Sequence, residues 1–188
     1  MEIMVKLCVL KMINENIIED KQSAVIAYGL ELLLSSVINI LSILFIGVIF
    51  NRAGEIFLLL LVSIPLQSFG GGYHCNTHFR CWALTTGGYL IAVLGAVYLP
   101  VKVLLGTALI STYPFLKFSP VENLKAPFGE KFKNKMKKVV RIVYFIAIIT
   151  SLMFLLFKSA GAQFILAGIS LEGFSVLCAE CKRRREKE

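Results

Sequence analysis

The chain is 188 residues long, 57% hydrophobic and only 17% charged, with a mean hydropathy of +0.76, which excludes an ordinary soluble domain of this size. The formal charge of +8 is unevenly spread, so its location says more than its size, and no nucleic-acid partner is expected. Apolar runs reach the roughly 20 residues needed to cross a bilayer, so the expected fold is all-α: one polytopic membrane domain over residues 1–188 with about six transmembrane or re-entrant helices.

Residues 1–23 lack the layout of a cleavable signal peptide. Lys6 and Lys11 interrupt the apolar run, Glu15, Glu19 and Asp20 follow it, and no small-residue cleavage site is present. Ile3, Leu7, Leu10 and Ile17 recur at near-helical spacing, which suits an amphipathic helix lying along the membrane surface; the alternative is a frayed terminus with some apolar residues. Residues 24–50 form the first span, with Glu31 and Asn39 as polar exceptions. A carboxylate inside a span is costly, so Glu31 is expected near enough to the membrane edge to reach water. Asn51, Arg52, Ala53 and Gly54 make a turn. The returning run 55–66 is short and Pro65 breaks its end, which predicts a thin span or a half-helix completed by Gln67, Ser68 and Phe69.

A polar stretch, residues 67–82, follows and reads QSFGGGYHCNTHFRCW. It holds both histidines of the chain, two of its five cysteines, a glycine triplet and the only tryptophan. Two further spans, 83–99 and 101–118, are divided at Pro100; Lys102 weakens the second, and a re-entrant pair is the alternative. Residues 119–138 form a basic loop with Pro120, Pro127 and six lysines. Spans 139–157 and 159–177 lead to a basic tail, 178–188.

Charge sets the expected topology. With six alternating spans and the N-terminus inside, the inner segments carry three, one, eight and five basic residues, against three in the outer turns. The positive-inside rule then places both termini, the basic loop and the polar stretch on the cytoplasmic side of the cell membrane. At least four of the five cysteines lie near that face, where thiols stay reduced, and no disulfide framework is expected.

A thiol becomes a useful nucleophile when a neighbouring imidazole takes its proton or stabilises the thiolate. His74 and Cys75 are adjacent and point apart. His78 and Cys81 are three residues apart and can meet on one helix face. His74 and Cys81 are seven apart, separated by about 10.5 Å of helical rise, and can react together only where the chain bends. Spacing alone leaves both His78 and His74 as partners for Cys81.

Gly71-Gly72-Tyr73-His74, six residues and then Cys81 resembles the signature of the accessory gene regulator B family, membrane cysteine endopeptidases that process peptide pheromones in quorum sensing. The start of the basic loop, Ser119-Pro120-Val121-Glu122, its Lys125-Ala126-Pro127 and the following lysines are similar to the family's cytoplasmic loop. The resemblance implies His74 as base and Cys81 as nucleophile. Gly71 and Gly72 then shape the substrate site, where backbone N–H groups can face an oxyanion. The family often carries an arginine where this chain has Gln67, which can hydrogen-bond substrate but supplies no charge. The implied reaction forms a thioester acyl-enzyme that an internal cysteine or serine of the peptide attacks, closing a lactone or thiolactone ring.

The expected partners are a small precursor peptide with an amphipathic leader and an acidic tail, the lipid bilayer and, in a homodimer, a second copy of the chain. Lys131, Lys133, Lys135, Lys137 and Lys138 are assigned to the acidic tail; otherwise they are a topological anchor. No cofactor is expected. The rival chemistry is a metal site, most easily built from His78 and Cys81 with Cys178 and Cys181, because structural zinc draws two close pairs from separate segments. A small transporter is a weaker alternative, since Glu31, Glu55 and Glu172 are almost the only ionisable residues within the spans.

Overall fold

The computed structural model describes residues 2–15, 17–73, 75, 77–121 and 129–186, without the side chains of residues 2, 3, 20 and 32. Regular structure among these residues is helical, with no strand. Two compact units divide the chain, residues 1–42 and 43–188. In the first, α1 (Glu2–Asn14) carries the near-helical apolar spacing expected of the N-terminal segment. A 3-10 turn at Asp20–Gln22 leads into α2 (Ser23–Ile49), whose last turns belong to the second unit.

The second unit contains α3 (Ala53–Gly70), α4 (His78–Tyr98), α5 (Val101–Ile110), α6 (Thr112–Lys117), α7 (Glu130–Leu156) and α8 (Gly161–Arg185). With α2, four of these make five helices long and apolar enough to cross a membrane among the described residues. The chain is therefore an all-α polytopic membrane protein.

Two expected boundaries move. Helix α3 runs through Pro65 to Gly70 rather than breaking. Proline removes one hydrogen bond, to the carbonyl of Leu61, and a helix packed along α7 and α8 tolerates that loss. Helix α4 begins at His78, not at residue 83, because Thr77 caps it: Thr77 Oγ1 accepts from the Arg80 amide at 3.4 Å.

The expected single span over 101–118 is replaced by α5 and α6, of 10 and 6 residues, neither long enough to cross alone. Pro114 has no N–H for the Ile110 carbonyl, so the helix is interrupted at Ser111. Gly173 of α8 packs on that interruption, where a Cβ would collide with the Ser111 side chain and approach its Cα to 3.1 Å. Together the two short helices still return the chain to the end where α3 closes. The Val121 amide donates to the Gly70 carbonyl at 3.0 Å, and Gly70 lies against Phe115 and Ser119.

Helix α8 is the centre of this unit: α3, α4, α5, α6 and α7 all pack on it. Its buried face is rich in small residues, including Gly161, Ala162, Ala167, Gly168 and Gly173. In an apolar solvent, where hydrophobicity cannot drive helices together, close backbone approach is what holds them. Gly161 sits against Leu58 and Phe154, so α8 starts beside the start of α3 and the end of α7. Arg80, Lys117, the first turns of α7 and Lys182 to Arg185 thus lie at one end of the unit, and Arg52, Lys102 and Lys158 at the other.

The basic stretch expected as a loop over 119–138 is helical from Glu130, and residues 122–128 lie outside the described residues. The lysines therefore decorate the first turns of α7. Lys131, Lys135 and Lys138 share one exposed face, while Lys133 and Lys137 lie on another and are half-buried. Single cysteines placed at Pro100 and Ser159 in a cysteine-free background should react with an impermeant maleimide from one side of the membrane. Cysteines at Val121 and Lys131 should react only from the other, and labelling of both sets from one side would refute the return of the chain through α5 and α6.

Candidate functional site

The site is built where α3 ends. Gly71 caps that helix with φ 72° and donates its N–H to the Gln67 carbonyl at 3.0 Å. Two things demand glycine there. The positive φ is strained for L side chains, and a Cβ would come within 2.8 Å of the Val121 carbonyl oxygen. The next residue is pinned from the other side, since a Cβ on Gly72 would meet Ser175 Oγ at 3.0 Å and the Gln67 side chain at 3.3 Å. Tyr73 then donates its amide to Ser175 Oγ at 3.0 Å, and Lys182 Nζ stands 5.3 Å from the centre of its ring. Residues 70–73 are thus clamped between α8 and the 119–121 strap.

His74 and Asn76 lie outside the described residues. Cys75 is half-buried beyond the clamp. Cys81 occupies the first turn of α4, its amide donating to the Thr77 carbonyl at 3.0 Å, and is half-buried. That turn is where the helix macrodipole favours negative charge, the form in which a thiol attacks. His78, one turn earlier on the same helix, is exposed. The three-residue spacing of His78 and Cys81 is therefore realised on a helix. Phe79 and Trp82 stack beside them with centroids 5.7 Å apart.

Of the residues singled out from sequence, Gln67, Gly71 and Gly72 come together at the close of α3. The five lysines stand on α7. Ser175 was missed: a serine near the end of an apolar helix carries no signal until α8 is seen against Tyr73. Val121 figured only in the start of the basic loop, and its contact with Gly70 and Gly71 had no signal for the same reason. Glu172 left a trace as a carboxylate within a span, and its partner Tyr89 Oη donates to Oε1 at 3.1 Å. Among the described residues no group of three or more His, Cys, Asp or Glu side chains is gathered as metal ligands. The pairing of His78 and Cys81 with Cys178 and Cys181 is accordingly not formed. At the close of α8, Glu180 is paired instead with Arg183 at 2.7 Å and Arg184 at 3.0 Å.

Comparison with known proteins bears on this arrangement. The family model described as accessory gene regulator B matches residues 5–176. An AgrB-like protein 2 of Clostridium perfringens strain 13 is 27% identical over 163 residues, covering 79% of this chain and 76% of its own. An AgrB-like protein of Clostridium perfringens strain SM101 is 27% identical over 150 residues, covering 72% and 70%. No solved structure matches.

The clamp makes a stability prediction. Gly71→Ala should cost about 2 to 4 kcal/mol, from left-handed backbone strain together with collision against the 119–121 strap. It should lower the thermal midpoint in detergent and speed proteolysis between α3 and α4. Gly106→Ala, at a helical position with open space around it, should leave the midpoint unchanged or raised.

Proposed function

We propose that this chain, which belongs to the accessory gene regulator B family, is a membrane cysteine endopeptidase that cleaves a small autoinducer precursor and releases it toward a cyclic pheromone. Family membership ties the chain to autoinducer processing in accessory gene regulator systems. The observation that carries the finer reading is the family match across residues 5–176, which spans the Gly-Gly-x-His motif and Cys81 at the family's spacing.

In this reading Cys81 thiolate adds to a peptide carbonyl carbon. The C–N bond then breaks as His74, having taken the thiol proton, returns it to the departing amine. The product is a thioester on Cys81. An internal thiol or hydroxyl of the peptide attacks that thioester, closes the ring and frees the Cys81 thiolate. Thiol attack exchanges one thioester for another, so exclusion of water decides between ring closure and hydrolysis. Amides of the Gly70–Gly72 turn are the candidates for oxyanion donors, and the contacts that pin residues 70–73 support that role. Positive-inside asymmetry supports a cytoplasmic site, because most basic residues of the second unit share the motif's end.

The expected precursor is a short amphipathic peptide with a central Cys or Ser and an acidic tail, encoded beside this gene. Cys81→Ala and His74→Ala should each abolish its cleavage while leaving membrane insertion intact. His78→Ala and Cys75→Ala should retain more than about a third of the activity. A dead His78→Ala with an active His74→Ala would hand the base role to the one-turn helical pair instead.

The lysines of α7 are assigned to the acidic tail, which they can attract over a Debye length of about 10 Å. Replacing Lys131, Lys133, Lys135, Lys137 and Lys138 with Gln should raise KM about tenfold at low salt. Added salt should weaken the wild type far more than this variant. Normal cleavage by a correctly inserted variant would leave the lysines as a topological anchor only.

A further inference from the structure

A cleft of about 770 Å³ opens between α4 and α8 in the second unit. Its walls are mostly hydrocarbon, from Leu84, Ile91, Leu171 and Phe174, with Gly87 opening one side. Its rim carries Gln67 and Tyr73 from the clamped segment and Lys182 and Arg185 from α8. Glu172 also lines it, about 20 Å along α8 from Arg185. That residue is 2% exposed. Tyr89 satisfies Oε1, whereas Oε2 has no hydrogen-bond partner among the described residues. A carboxyl oxygen without a partner is costly in an apolar surrounding; Oε2 is itself closed off from the cleft, so a ligand that draws the Glu172 carboxyl toward it supplies the missing partner and is favoured there.

We infer that the cleft holds the extended stretch of the substrate peptide adjoining the cleaved bond, with Glu172 as the polar contact for that stretch's backbone. The inference rests on the reading of Cys81 as nucleophile. Cys81 and Tyr89 are eight residues apart on α4, about 12 Å of helical rise. Three or four extended residues cover that distance at about 3.3 to 3.6 Å each. The occupant is a peptide for a chemical reason. A lipid tail can fill the apolar walls but leaves Glu172 Oε2 alone, whereas an extended peptide brings an amide group at every residue. A helix of a second copy of the chain has its backbone amides already satisfied. The cleft also adjoins the motif: Gln67 and Tyr73 form its rim, and Ala83 to Thr85, beginning two residues after Cys81, form its wall.

Full-length protein in nanodiscs, with the precursor as substrate, tests this. A Cβ on Gly87 meets nothing within 4 Å, so the side chain of Gly87→Leu starts in open space at the cleft wall. It should lower kcat/KM by more than about tenfold, chiefly through KM, while iodoacetamide alkylates Cys81 at the wild-type rate. Tyr89→Phe with Glu172→Leu removes both partners of the buried hydrogen bond, so the fold survives. It should raise KM about tenfold with kcat within about twofold. Glu172→Gln, which keeps polar groups for Tyr89 and the peptide, should recover most of that loss. Wild-type KM in both Gly87→Leu and the double variant would overturn the inference and assign the cleft to lipid or to a second copy. Binding of the precursor to Cys81→Ala protein, with and without Gly87→Leu, separates the two levels. Absence of Cys81-dependent cleavage with binding that Gly87→Leu abolishes overturns the nucleophile and keeps the cleft; binding indifferent to Gly87→Leu overturns the cleft.

Discussion

The second unit depends on the enclosure of α8. Five helices pack on it, and its glycines are positions where a side chain would collide with a neighbour. Water is absent from the interior of a bilayer, so burying apolar surface contributes little to helix association there. Dispersion over a tight fit has to supply it, and tight fit needs backbones close together. Gly173 shows how far this goes, because it admits the broken stretch at Ser111 between α5 and α6. The break forced by Pro114 is thereby accommodated, and the chain still reaches the end at which α3 closes.

The motif geometry follows from that enclosure. Ser175 and Lys182 belong to α8, and they hold Tyr73 from one side. The strap at 119–121 reaches Gly70 and Gly71 from the other, delivered by α5 and α6. A short segment that leaves a helix through a positive-φ glycine would otherwise sample many conformations. Here both of its flanks are fixed by elements distant in sequence. The proposed nucleophilic site would require such placement, because donors aimed at a developing charge act only if they need not rearrange.

The same architecture joins the proposed chemistry to a place for its substrate. Helix α4 carries Cys81 in its first turn and forms one wall of the cleft farther along. Helix α8 forms the other wall, and its last turns bear the basic rim. A peptide lying between them would meet cationic side chains at the rim, hydrocarbon for most of its length and one buried carboxyl farther along α8. Those surfaces match an amphipathic chain better than a small polar solute.

The membrane class, the helical content and the polar stretch that carries the motif were all legible in the sequence. Hydropathy reports burial in lipid directly, and imidazoles and thiols grouped between apolar runs stand out as a polar segment. The resemblance to the accessory gene regulator B family was equally readable, since it rests on residues close together in the chain. Helix boundaries were less so: Pro65 does not end α3, residues 101–118 divide into α5 and α6, and the lysines after Gly129 begin α7 rather than filling a loop. Proline weakens a helix locally and closely spaced lysines repel one another along it, and packing along α7 and α8 or continuation into an apolar span overrides both. Only the tertiary structure decided that Ser175, Val121 and Lys182 clamp the motif, and that Glu172 meets Tyr89 across α4 and α8. These contacts join residues up to about a hundred positions apart, and they come from the close approach that small residues on α8 allow, which no local periodicity encodes.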